Sequence, residues 1–129
     1  MLGEVKMKQH LLGEQLKEIN YEQRITLLSF VTGLNKEYMK AEYDKGIKDE
    51  ETMLRAYGFD VKIGELIELI FNYTRQFPNV VISEGEFSIS IPLEDEKGII
   101  TEFNTNPQPS YCDALYVVVK ELLNKKYIE

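Results

Sequence analysis

A single cysteine, Cys112, excludes an intramolecular disulfide and fits a reducing compartment. A single histidine, His10, leaves no second imidazole for a metal site. On an N-terminal helix Glu14 would lie one turn away from it, but two ligands fall short of the three or four a metal takes. No metal and no cofactor are therefore expected. No apolar run reaches the ~20 residues that span a bilayer, and Met1–Lys6 carries no apolar signal core. A soluble cytoplasmic protein with no membrane partner follows as the expectation. Phosphate-cradling glycine loops and the G-x-S-x-G nucleophile elbow are absent from the sequence, and Cys112 has no nearby base, so the chain does not read as an enzyme.

Positive charge is scarce as well. The net charge is −7, which opposes binding to nucleic acid through its phosphates. The imbalance is uneven: residues 1–78 hold 11 basic and 13 acidic side chains, and residues 79–129 hold 4 and 9. Lys outnumbers Arg twelve to three, a usage that fits an AT-rich genome such as that of a low-GC bacterium or its phage.

What is present reads as a globular balance, 43% hydrophobic and 29% charged, over a length that suits one domain spanning residues 1–129. The patterning predicts an α+β fold with about four N-terminal helices, a three-stranded antiparallel β-meander and a C-terminal helix packed on the sheet. A first helix is expected over residues 4–18, with Val5, Leu12, Leu16 and Ile19 near one face. Asn20 and Gln23 form a capping pair for a second helix, whose stripe runs Leu27, Phe30, Val31, Leu34, Tyr38, Ala41 through Gly33. Tyr43-Asp44-Lys45-Gly46 ends it. Asp49 is expected to cap a third helix that stops at Gly58, with Phe59 folding back. Asp60 opens a fourth helix, with Pro78 as its terminator.

Val80–Ile82, Phe87–Ile91 and Ile99–Phe103 read as strands, joined by Glu84-Gly85 and by Glu94-Asp95-Glu96-Lys97-Gly98. Phe87, Ile89, Ile91 and Leu93 share one face, while Ser88 and Ser90 share the other. The loop Asn104-Thr105-Asn106-Pro107-Gln108-Pro109 then turns into a helix capped by Ser110 and lined by Tyr111, Ala114, Leu115, Val118, Val119 and Leu122.

This strand-to-helix corner is the one place where binding groups gather. Phe103, Asn104, Asn106, Ser110 and Tyr111 are the candidate ligand-binding residues, combining amides, flat apolar rings and a helix start. They suit a small anionic or nucleotide-like ligand, with Arg24, Arg55 or Arg75 as a possible counter-charge. With no catalytic inventory, the first expectation is a non-enzymatic regulator or inhibitor that binds a protein partner. Open sheet edges and 8 Tyr and 6 Phe also suit a homo-oligomer.

Overall fold

The computed structural model describes residues 7–46 and 49–125. Among these residues four α-helices precede the sheet: α1 (Tyr21–Thr32), α2 (Lys36–Lys45), α3 (Glu50–Asp60) and α4 (Ile63–Thr74). Strands β1 (Asn79–Ser83), β2 (Glu86–Glu94) and β3 (Ile100–Asn104) form an antiparallel meander in that order, and α5 (Tyr111–Asn124) follows. The fold is α+β.

The sheet follows its local chemistry. Glu84 and Gly85 both take positive φ (52° and 79°), the two-residue turn that matches strand twist. It sets Ser83 opposite Glu86, Val81 opposite Ser88 and Asn79 opposite Ser90. The second hairpin sets Glu94 opposite Ile100 and Ile91 opposite Phe103. Ile89, Ile91 and Leu93 are buried on the inner face, with Phe87 and Phe103 packed beside them. Against them lies α5, in which Cys112, Ala114, Leu115, Tyr116, Val118, Val119, Leu122 and Leu123 are buried. Helix α4 packs on α5 through Leu66, Leu69 and Ile70, extending the same core.

The helical part departs from expectation at its glycines. Asn20 caps α1 through Gln23 as read, the amide oxygen accepting from Gln23 N at 2.9 Å. Gly33, however, takes φ 77° and donates to Ser29 O, so the helix ends there and Asn35 caps a separate α2. The break turns Tyr38 and Ala41 outward and buries Met39 and Tyr43 instead. Gly58 is not a stop. It lies inside α3, buried, where a Cβ would come within 2.8 Å of Gly13 N and 2.9 Å of Leu11 O. Asp49 stands at the start of α3 but makes no side-chain cap, and α4 begins after Lys62, likewise uncapped. Arg75, at φ 59°, closes α4 three residues ahead of Pro78.

Residues 7–12 are extended where a helix was expected, and only a 3₁₀ turn over Gly13–Glu18 follows; Val5 lies outside the described residues. The reason is tertiary. Leu11 N donates to Val61 O at 2.9 Å and Ile63 N to Gln9 O at 3.0 Å, so the segment pairs with the α3–α4 junction. That pairing buries Leu11 and exposes Leu12, while Leu16 and Ile19 are buried as expected. It requires close approach: a Cβ on Gly13 would stand 2.6 Å from Arg55 Cα and N. Gly13→Ala is accordingly expected to lose about 1–3 kcal/mol by forcing backbone apart. Gly64→Ala, with nothing within 4 Å of the added methyl, should be neutral or gain up to about 1 kcal/mol of helix propensity. Urea unfolding of the two variants beside the parent checks the contrast.

Candidate functional site

The strand-to-helix corner is organised by a residue that sequence reasoning passed over. Thr105 continues the inward parity of Phe103 and is buried. Its main-chain N donates to Ile89 O and its hydroxyl oxygen accepts from Ile89 N, each at 2.9 Å. Phe87 and Gln108 then exchange two main-chain hydrogen bonds of 2.8 Å. The loop is thus an irregular extension of β3 along β2, with Asn106, Pro107 and Pro109 exposed. The i, i+2 spacing of Phe103 and Thr105 was the available signal.

The five candidate residues separate accordingly. Phe103 faces inward opposite Ile91, whereas Asn104 projects to the outer face opposite Ser90. Asn106 is exposed, and its carbonyl accepts from Gln108 Nε2 at 3.3 Å. Ser110 caps α5, its hydroxyl accepting from Asp113 N at 3.0 Å. Tyr111 stacks on Phe87 with centroids 6.2 Å apart. Ser110 and Tyr111 stay together at the helix start, while Phe103 and Asn104 diverge.

The first turn of α5 is occupied by the chain's own N-terminal segment. Asp113 Oδ1 accepts from Lys8 Nζ at 2.7 Å and from Gln15 Nε2 at 2.8 Å. Lys8 also donates to Gln15 Oε1, and Tyr116 donates its hydroxyl to Gln15 O, both at 2.6 Å. Burial pushes the Asp113 carboxyl upward, but hydrogen bonding with Lys8, Ser110 and Gln15 and the Lys8 charge outweigh it and hold its pKa below the ordinary carboxylate value. Cys112, beside it, is fully buried, and burial pushes its thiol up to about 11. It is packed in the core, where burial disfavours the thiolate.

The arginines are spread apart. Arg24 is turned inward, donating to Tyr43 Oη at 2.8 Å, Glu50 Oε1 at 3.1 Å and the carbonyls of Leu16 and Ile19. Arg55 borders a cleft of about 330 Å³ with Glu14, Lys17 and Glu51. Arg75 borders another of about 340 Å³ with Tyr73, Glu94, Asp95 and Ile100. His10 forms a bridge with Lys62, and its Nδ1 lies 2.9 Å from Leu11 O, so the expected helical pairing with Glu14 does not arise. Among the described residues no three His, Cys, Asp or Glu side chains are grouped to hold a metal ion. No helix among them is long and apolar enough to cross a membrane.

The distal end of the sheet offers a different surface. Asp95 shapes the β2–β3 loop: its carboxylate accepts from Lys97 N at 2.8 Å and Ile99 N at 2.9 Å, and Gly98 takes φ 81°. That leaves Glu94, Glu96 and Glu102 exposed, with Glu102 accepting a hydrogen bond from Ser90. Between them Ile99 and Ile100 are 58% and 66% exposed. On the α5 side a cleft of about 350 Å³ opens, lined by Leu93, Ile99, Thr101, Phe103, Glu121 and Lys125 among others. Sequence patterning had read Ile99 and Ile100 simply as strand residues. Comparison of the chain with known protein families, curated proteins and solved structures finds no match.

Two outcomes follow from the α5 start. Asp113, with its lowered pKa, contributes stability that is complete above the unfolded Asp value of about 3.9 and is lost as pH falls through the lower folded value. Asp113→Asn should therefore cost about 1 kcal/mol near neutrality and flatten the fall in melting temperature below pH 4. Cys112 should stay unmodified by a thiol reagent in native protein at pH 8 and react fully once the chain is unfolded in denaturant.

Proposed function

We propose that this protein is a non-enzymatic interaction protein, a regulator or inhibitor, that binds a basic protein partner through the distal end of its sheet. The observation that carries the reading is the exposure of Ile99 and Ile100 amid Glu94, Glu96 and Glu102. Large apolar side chains in surroundings where carboxylates outnumber the nearby Arg75, Lys97 and Lys125 suit a partner surface with an apolar centre and a basic rim. The acidic side chains steer the encounter and exclude acidic competitors, while the isoleucines supply the burial. The surrounding hairpin is held by the Asp95 hydrogen bonds, so the surface is preformed and loses little freedom on binding.

A small anionic or nucleotide-like ligand at the Asn104–Tyr111 corner is the lesser reading. Asn104 and Phe103 lie on opposite sides of the sheet, and the surrounding main chain is hydrogen-bonded internally.

The test compares immobilised wild type with Ile100→Ser and Glu102→Lys in host lysate. A basic protein should be retained by the wild type, released as salt rises, and held at least roughly tenfold less by each variant. Equal capture by all three, or capture indifferent to salt, would remove the proposal.

A further inference from the structure

The opposite edge of the sheet carries a second apolar surface. β1 is an edge strand whose three central side chains, Val80, Val81 and Ile82, are 40%, 59% and 63% exposed. Val80 and Ile82 belong to the inner face, since they stand opposite Ile89 and Phe87, yet the helix layer does not cover them. Phe77, stacked on Phe71 at the approach to the strand, is 66% exposed.

The direction of the main-chain groups on this edge is fixed by bonds made elsewhere. Phe87 gives both its N–H and its carbonyl to Gln108, and Ile89 gives both of its own to Thr105, all on the β3 side. The pairs Ile82–Phe87 and Val80–Ile89 are therefore the non-hydrogen-bonded ones of the β1–β2 ladder. It follows that the N–H and C=O of Val80 and Ile82 point away from the sheet.

We infer that β1 pairs antiparallel with β1 of a second copy about a two-fold axis at Val81, joining two sheets into one of six strands. In this register Val80 stands opposite Ile82 of the second copy, and all four outward residues enter hydrogen-bonded pairs, giving four main-chain bonds. Val81 faces its own counterpart, and Asn79 faces Ser83 of the second copy. Sliding by one pair loses this. One direction brings Ile82 opposite Pro78, which has no N–H. The other brings Val80 opposite Glu84, which lies in the turn at φ 52°.

Charge selects a second copy over a basic partner at this edge. Asn79–Ser83 carries no charge, whereas the chain as a whole carries −7, so copies can meet here without opposing like charges. Because the axis is perpendicular to the sheet, both helix layers lie on one side, and the uncovered Val80 and Ile82 of each copy fill the seam between them. The strand side chains with Phe77 offer less than the roughly 800 Å² per partner of a standard interface. The dimer is thus reversible and concentration-dependent. It leaves the acidic end of each sheet free and does not depend on that end binding anything.

Sedimentation velocity from roughly 1 µM to 1 mM, the range over which small interfaces dissociate, is expected to show a rise from 15.0 kDa toward twice that mass. Val81→Lys, placing two ammonium groups face to face, should weaken the dimer at least roughly tenfold. Oxidised Val81→Cys should cross-link to itself, since opposed residues of a non-hydrogen-bonded pair lie within disulfide reach, and Ile82→Cys, about 7–8 Å from its counterpart on the diagonal, should not. A constant 15.0 kDa mass over the whole range, a dimer indifferent to Val81→Lys, or equal cross-linking of the two cysteine variants would each overturn the inference. If Val81→Lys unfolds, the cysteine pair still decides it.

Discussion

Helix α5 buries too much of its circumference to be an ordinary surface helix, and the remainder of the fold follows from surrounding it. Cys112, Ala114, Leu115, Tyr116, Val118, Val119, Leu122 and Leu123 span an arc of about 200° at 100° per residue. One packing layer covers roughly half of that, so a second is required. The sheet supplies one through Ile89, Ile91 and Leu93, and α4 supplies the other through Leu66, Leu69 and Ile70. The N-terminal segment closes the helix start with the Lys8–Gln15–Asp113 network and the Tyr116–Gln15 hydrogen bond.

That arrangement also determines what is left exposed. The helix layer reaches β2 but not β1, so the inner side chains of the edge strand stay in solvent. At the distal end the β2–β3 loop extends past the covered region, and Ile99 and Ile100 emerge among carboxylates. Two apolar surfaces thus arise at opposite margins of one small sheet, one neutral and one acidic. On the two proposals above, that difference in charge would match them to different partners, a second copy at the neutral edge and a basic surface at the acidic end.

The corner after β3 shows how far local chemistry carries a site. Ser110 as the cap, the buried stripe of α5 and the bend at the prolines were legible because each depends on neighbours within about one turn. The divergence of Phe103 and Asn104 was equally legible from strand parity, but a loop reading hides it once the strand is taken to stop at residue 103. Thr105 was missed because its role depends on Ile89, sixteen residues away, whose main chain it satisfies. Arg24 was read as a candidate anion ligand, yet it holds Tyr43, Glu50 and the carbonyls of Leu16 and Ile19, partners drawn from three separate segments.

Sequence by itself determined the α+β class, the meander with one tight turn and one longer hairpin loop, the alternation of β2, and the capped starts of α1 and α5. These are short-range features, in which the residue types and their spacing specify backbone angles and hydrogen bonds directly. Tertiary structure alone decided that residues 7–12 are extended, that Gly33 ends a helix while Gly58 lies within one, and that Leu11 and not Leu12 is buried. A glycine permits both a left-handed stop and a close backbone approach, and only the chain lying against it selects between them.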